Sequence, residues 1–304
     1  MSEIKISPIF YMGNKKKLIN KGLIDLFPKD IDTFVDVFAG SAIVSMNTAA
    51  YRYIVNDIDN NLNDLYKLFC NAEPNFIISH INKRIDEYGL ARERTKRNEY
   101  HDVEQINKYK SAYMSFRDHY NKTRNIFDFY TLMFYSFSQQ FRFNSKGEFN
   151  MPCGNDCFTS KNEEYIRNGC EFFHKPNVRT AMIDFRGLFA NFLHSSEDLK
   201  DTFFYCDPPY LNTTATYNEG RGREGWNEKD ERYLHSYLDE VSSKGGKWAL
   251  SSVKCNKGKV NQILVDWLNE HSEYNEYSFD SHTYSACGKG NSNAKEVLIT
   301  NYKE

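Results

Sequence analysis

Apolar residues in this chain gather in short runs, and the runs end in an acid or a glycine. Thr33-Phe34-Val35-Asp36-Val37-Phe38-Ala39-Gly40-Ser41 predicts a buried strand that breaks at Gly40 into a helix. Tyr53-Ile54-Val55-Asn56-Asp57 predicts a second strand closed by a carboxylate. Val178 to Phe185 predicts a third, ending in Asp184 and an aromatic ring. Phe203-Phe204-Tyr205-Cys206 predicts a fourth, which stops at Asp207-Pro208-Pro209-Tyr210. Two prolines forbid a helix there and bias Asp207 toward an extended backbone. Lys247–Val253 and the alternating tail Ala294–Tyr302 predict two further strands, with a helix over Glu228–Val241 before the first and one over Val260–Leu268 between them. Strands that alternate with helices make an α/β domain.

The pattern changes between residues 61 and 178. Leu62, Leu65, Tyr66, Leu68 and Phe69 recur at helical spacing. A polar, helix-prone stretch follows, with Arg92, Arg94, Lys96, Arg97, Lys108, Lys110, Arg117, Lys122 and Arg124 among interspersed acids. Such a stretch suits a solvated helical face as well as a phosphate track. Residues 126–141 turn aromatic and apolar again, which predicts packing against the main body. Asn144-Ser145-Lys146-Gly147 between aromatic flanks reads as a hairpin. We therefore read residues 1–60 and 179–304 as one domain, with residues 61–178 inserted in it. The polar, glycine-rich stretch from Asn212 to Trp226 is too long for a simple connection.

A chain of 304 residues with 40% hydrophobic and 26% charged positions can bury a sizeable core. Its formal net charge of −2 confines any nucleic-acid surface to a local patch. The 21 Tyr and 23 Phe fill cores and also stack on bases. Seven cysteines without an evident framework fit reduced thiols in a cytoplasm. Cys153 and Cys157 have no second pair or histidine at ligand spacing, which argues against zinc. The N-terminus has no apolar signal core, and no window is long and apolar enough to span a bilayer.

The strand ends carry the chemistry. Strand, glycine turn, helix, strand and terminal carboxylate is a layout that holds an adenosine, the acid accepting from ribose hydroxyls. A dinucleotide site would need G-x-G-x-x-G so that backbone amides reach a pyrophosphate, and here only Gly40 is present. That favours S-adenosylmethionine over NAD, beside the bland reading of a βαβ unit without ligand. Asp184 could accept from an adenine amino group while Phe185 packs the ring, or could simply cap the next helix. In the hairpin, Arg142, Asn144, Lys146 and Asn150 suit base edges and phosphates, or the outer positions of a structural turn. Asp207 and Tyr210 sit three residues apart on a stiff turn, where open α/β sheets place their ligands.

Taken in order, these segments resemble the Dam-type family (D12 class, alpha group) of DNA adenine-N6 methyltransferases, from Phe10 to Tyr302. Phe10-Tyr11-Met12-Gly13-Asn14-Lys15 is similar to the family's first methionine-binding motif, and Asp36 to Ser41 to its glycine turn. Asp207-Pro208-Pro209-Tyr210 resembles its catalytic tetrad without alteration. Arg142-x-Asn-x-x-Gly-x-Phe-Asn-x-Pro-x-Gly is similar to a hairpin signature of its target-recognition region, and Lys295-Glu296-Val297-Leu298 agrees with its tail. Two departures are the missing second glycine of the turn and the cysteines at the end of the hairpin.

The resemblance implies a Rossmann-like, mostly parallel seven-stranded sheet with helices on both faces, plus an inserted, mainly helical recognition domain with a β-hairpin. It implies S-adenosylmethionine as cofactor, with Tyr11 and Lys15 flanking its methionine part and Asp36, Phe38 and Gly40 beside them. Asp57 would hold the ribose, Asp184 and Phe185 the adenine, and Asp207 would border the methyl group. The target adenine would be flipped from duplex DNA, its amino group facing Asp207 and the Pro208 carbonyl, with Pro209 stiffening the turn and Tyr210 stacked on the base. Arg142, Asn144, Lys146 and Asn150 would meet the DNA from the hairpin, and Lys122 and Arg124 its phosphates. It further implies a monomer that needs no metal, in the cytoplasm of a bacterium or a phage-infected cell, with a cognate restriction endonuclease as a candidate partner. An RNA or protein N-methyltransferase, a nucleotide-dependent oxidoreductase and a silent DNA-binding regulator remain open at this stage.

Overall fold

The computed structural model describes residues 3–94, 103–195, 198–211, 225–256, 259–280 and 295–303. Lys96, Arg97 and nearly all of the Asn212–Trp226 stretch lie outside these ranges.

Among the described residues, the strands β1 (Thr33–Asp36), β2 (Arg52–Asn56), β3 (Val178–Ala181), β4 (Thr202–Cys206) and β5 (Lys247–Val253) follow the apolar runs. Cys255–Asn256 (β6) and Lys259–Val260 (β7) pair only with each other. Asn275–Asp280 (β8) and Lys295–Thr300 (β9) complete a seven-stranded sheet of order β3-β2-β1-β4-β5-β9-β8. The first five strands in this order pair in parallel, whereas β9 runs antiparallel to both β5 and β8. Reversal of β9 brings its amino end to the edge where the parallel strands have their carboxyl ends.

Side-chain alternation divides the core into two layers. Phe34, Phe203, Tyr205 and Leu298 point into one, and Val35, Phe204, Cys206, Val297 and Ile299 into the other. The second layer is covered by α8 (Phe185–Leu193), α9 (Glu228–Ser243) and α10 (Gln262–Glu270), whose Phe189, Leu234, Leu238 and Leu264 are fully buried there. On the other face lie α3 (Asn60–Asn71), α4 (Pro74–Tyr88), α5 (Val103–Thr123), α6 (Ile126–Tyr135) and α7 (Ser160–Phe173), together with the short α1 (Lys16–Ile19) and α2 (Ile43–Asn47). Tyr53 of β2 meets Phe172 of α7 edge-on at 5.3 Å, and Phe69 of α3 meets Tyr130 of α6 at 5.2 Å. One apolar cluster therefore runs from the sheet into the segment between β2 and β3.

One expected helix shifts at its edge, and one strand has no counterpart in the sequence reading. The helix expected from Val260 starts at Gln262, because Asn261 caps it by accepting from the Leu264 amide. β8 carries no continuous apolar run and was not anticipated, although Tyr277 and Phe279 alternate with polar neighbours. No described helix is long and apolar enough to cross a membrane.

Candidate active site

The loops leaving β1, β2, β3 and β4 line one cleft of about 810 Å³, a size suited to a small molecule. Gly40, just beyond β1, has a left-handed φ of 52°. A Cβ there would come within 3.1 Å of the Tyr11 ring, so the turn favours glycine twice over. The Gly40 amide donates to Asp57 Oδ2 at 2.9 Å, and its carbonyl accepts from the Tyr66 hydroxyl at 2.6 Å. Asp57 Oδ1 accepts from the Asp59 amide at 2.9 Å. Asn56, one residue earlier, ties three strand ends together: its amide donates to the Val37 and Ile183 carbonyls and accepts from the Ile183 amide.

Asp36 ends β1 on the cleft wall. Its Oδ2 accepts from the Ser45 hydroxyl at 2.6 Å, while Oδ1 is buried without a hydrogen-bond partner. A buried carboxylate oxygen left unpaired is costly, and a cationic ligand group in the cleft would relieve that cost.

Asp207 leaves β4 on the stiff Pro208-Pro209 turn and joins a buried group drawn from both ends of the chain. Lys15 Nζ lies 2.7 Å from Asp207 Oδ2 and 3.3 Å from Glu296 Oε1, and the lysine is only 4% exposed. The Tyr210 hydroxyl lies 2.6 Å from Glu296 Oε1 and 3.2 Å from Asp207 Oδ1. A phenol has one hydrogen to donate, and the shorter contact marks Glu296 as its acceptor. Lys15 also sits 5.2 Å from the Tyr210 ring centre. Burial works against the charge on Lys15, but Asp207, Tyr210 and Glu296 outweigh it and hold the ammonium protonated.

Burial also pushes the acids upward: Asp36 to about 7, against the Ser45 hydrogen bond, and Asp207 to about 6, against the attraction of Lys15. Asp57 rises to about 6 for the same reason. For Asp36 the folded chain keeps its proton over a range where the unfolded chain has lost it. Its contribution to stability therefore declines as pH rises from about 4 to about 7. Thermal unfolding of the parent and of Asp36→Asn across that window should show the parent losing stability relative to the variant, and parallel pH curves would contradict the assignment.

Farther along the cleft, Phe38, Phe185 and Trp226 form an aromatic wall, with ring centres 5.3 to 5.6 Å apart. Asp184 caps α8 by accepting from the Arg186 amide at 2.9 Å, and the Arg186 guanidinium lies over the Phe185 ring at 4.6 Å. Trp226 is fixed by donating to Glu231 at 2.6 Å.

The family described as D12 class N6 adenine-specific DNA methyltransferase matches residues 11–279. The chain belongs to the D12 class. This D12 chain is 37% identical over 301 residues to Modification methylase StsI of Streptococcus sanguinis, covering 98% of this chain and 43% of the relative. It is 38% identical over 302 residues to Type II methyltransferase M.FokI of Planomicrobium okeanokoites, covering 97% and 43%. A DNA adenine methylase of Escherichia coli (strain K12) is 27% identical over 191 residues, 62% of this chain and 59% of that one. The D12 chain thus spans less than half the length of the first two relatives.

The hairpin of the D12 chain closes through the bridge Phe143↔Phe149, and Phe143 reaches the cleft wall. Asn144 closes the turn: its side-chain oxygen accepts from the Lys146 amide at 3.0 Å and the Glu148 amide at 2.9 Å. Exposed Arg142 donates from Nε to Asn150 Oδ1 at 2.9 Å. Lys146 is exposed at the tip. Arg124 lies over Tyr120 and donates to the Gly147 carbonyl, and Lys122 is exposed on the last turn of α5. Asn121 pins the hairpin to α5 by pairing with both backbone groups of Phe149. Of the basic run before it, Arg92 pairs with Asp86 and Arg94 with Asp156, so both are engaged by acids. Cys157 is buried in the core, and among the described residues no group of three or more His, Cys, Asp or Glu side chains could hold a metal.

Sequence reasoning brought Tyr11, Lys15, Asp36, Phe38, Gly40, Asp57, Asp184, Phe185, Asp207, Pro208, Pro209 and Tyr210 to one place, and all of these line the cleft except Pro208, whose side chain is buried. It passed over Glu296, Asn56, Tyr66 and Trp226. The signal for Glu296 was an acid at the head of an otherwise apolar strand.

Proposed function

We propose that this chain transfers a methyl group from S-adenosylmethionine to the N6 amino group of an adenine flipped out of duplex DNA. The observation that carries the reading is the Asp207-Pro208-Pro209-Tyr210 turn, held at the carboxyl end of β4 in the same cleft as the β1 and β2 strand ends. Residues 1–60 and 179–304 hold the cofactor and residues 61–178 the DNA. The orphaned Asp36 oxygen fits the ammonium of the methionine part, with Tyr11 and Lys15 nearby. Asp57 fits the ribose, and Asp184 with Phe38 and Phe185 the adenine. The sulfonium supplies an already activated methyl group.

The remaining chemistry falls to side chains of this chain. An adenine amino nitrogen is a poor nucleophile because its lone pair is delocalised into the ring. Asp207 and the Pro208 carbonyl accept its two hydrogens and draw the lone pair out of conjugation. Tyr210 holds the extruded ring by stacking, worth ~1–3 kcal/mol. As the nitrogen–methyl bond forms, the carbon–sulfur bond breaks, and the cationic nitrogen gives up one hydrogen along its contact with an acceptor. Preplaced acceptors stabilise the charge that grows there. Because Asp207 acts as a carboxylate, turnover should rise with pH through about 6, the value to which burial brings that group.

Radiolabelled methyl transfer to duplex DNA, followed by nucleoside analysis for N6-methyladenine, tests the activity. Transfer confined to RNA or protein would replace it. On the DNA side, Arg142→Ala should relax site preference by ~1–3 kcal/mol, because its guanidinium can read a base edge. Lys122→Ala or Arg124→Ala should weaken all sequences alike and flatten the salt slope by about one contact. Binding titrations on cognate and random duplexes at two salt concentrations separate the two outcomes. An equal loss on both duplexes from Arg142→Ala would make the hairpin a positioning device. The duplex is the partner we assign, acting on a monomeric enzyme of the cytoplasm within a restriction–modification system. A cognate endonuclease would then cut the unmodified site.

A further inference from the structure

Glu296 stands apart from the strand-end carboxylates described above. It enters from β9, the strand that runs against its neighbours. It is 2% exposed, and it touches two members of the reaction turn's surroundings at once: Tyr210 through the hydroxyl at 2.6 Å and Lys15 at 3.3 Å. Val253, its register partner on β5, packs against Tyr210.

This geometry poses a problem that Glu296 solves. A protonated lysine 2.7 Å from Asp207 withdraws electron density from the oxygen that must accept from a nitrogen gaining positive charge. With Asp207 as its only counterion, Lys15 would oppose the transition state. A second carboxylate at 3.3 Å shares that charge and returns acceptor strength to Asp207. The same carboxylate fixes the direction of the Tyr210 hydroxyl and thereby the plane of the ring. Isolated buried acids are rare without a partner, and here one partner, Tyr210, belongs to the reacting turn while the other, Lys15, is paired with its Asp207.

Resting on the function proposed above, we infer that Glu296 is a positioning residue for methyl transfer: it offsets the Lys15 charge beside Asp207 and tethers the Tyr210 ring that receives the target base. Glu296→Gln keeps the shape and an acceptor for Tyr210 but loses the charge. It should lower kcat at least tenfold while leaving KM for DNA and the S-adenosylmethionine affinity within about threefold. Tyr210→Phe loses only the tether. It should reduce the fluorescence rise of a duplex carrying 2-aminopurine at the target position, a readout independent of turnover. In the Tyr210→Phe background, Glu296→Gln should cost less than it does alone, because one of its two partners is already gone. Calorimetric cofactor binding by each variant verifies that it is folded, and Tyr210→Phe provides the test if Glu296→Gln does not fold. A Gln variant with kcat within twofold of an active parent overturns the inference alone, as does a Tyr210→Phe variant with an unchanged fluorescence rise. A parent that transfers no methyl group to any duplex overturns the function it rests on and the inference with it.

Discussion

Asp207→Ala is expected to lower the rate of methyl transfer by about 10²–10³-fold or more while S-adenosylmethionine still binds, the magnitude found when a preplaced transition-state partner is removed. The contact with the amino group strengthens only as that group gains charge, so its loss falls on turnover rather than on binding. The surroundings of Asp207 make the experiment clean. Removing one member of a buried ion pair usually leaves an uncompensated charge. Here Lys15 retains Glu296 at 3.3 Å, so the fold should survive the change. Asp207→Asn keeps an acceptor without the charge and should fall between the parent and the Ala variant. A duplex with 2-aminopurine at the target position should still show its fluorescence rise with Asp207→Ala, because Tyr210 remains to hold the base. Single-turnover transfer near the parent rate would make the turn structural and remove the basis of the proposed mechanism.

A second large effect is expected at Asp57. Asp57→Ala should weaken S-adenosylmethionine by ~1–3 kcal/mol, the cost of losing a half-buried charged acceptor. The side chain has two tasks that one substitution removes together. It can accept from a ribose, and it already accepts the Gly40 and Asp59 amides. The Ala variant therefore also frees the glycine turn on which Phe38 and Tyr11 converge. Hydrogen exchange at the Gly40 amide should quicken in Asp57→Ala. Asp57→Asn, whose single carbonyl oxygen can serve only some of these donors, should retain part of the affinity. Calorimetry giving an affinity equal to the parent's would sink the ribose assignment, whatever happens to the turn.

The parts of the site that could be read from sequence are those where chemistry and backbone geometry coincide. Asp36, Asp57 and Asp207 each follow an apolar run, so the strand that ends there announces the acid, whereas β3 stops at Ala181 and Asp184 instead caps α8. Pro208 and Pro209 fix where the fourth strand must stop. What stayed hidden depends on direction and on pairing between distant segments. Nothing in Lys295–Thr300 says that β9 runs antiparallel, and only that reversal carries Glu296 to the catalytic edge. Lys15 reads as one member of a lysine run, which is ordinarily solvated, yet it is buried between two carboxylates while Lys16 and Lys17 are not. Asn144 matched a base-reading pattern by residue type, and its oxygen is occupied by two turn amides. β8 was missed because its apolar positions are only two, Tyr277 and Phe279, in a polar setting. Base-facing roles in the hairpin depend on a duplex, and sequence distinguishes a reader from a brace only when the partner atoms are known.

The placement of β9 between β5 and β8 also bears on the birth of the chain at the ribosome. β8 leaves the exit tunnel before the strand that must sit beside it, and the Tyr302 hydroxyl closes onto the Leu26 carbonyl across 276 residues of chain. Contacts between such remote segments form slowly. Until β9 threads into its slot, β5 presents a bare edge on which a second nascent chain could pair. In the same interval Lys15 has Asp207 but no Glu296. A half-made chain would therefore be sticky and chemically idle together, and both conditions end with the arrival of one strand.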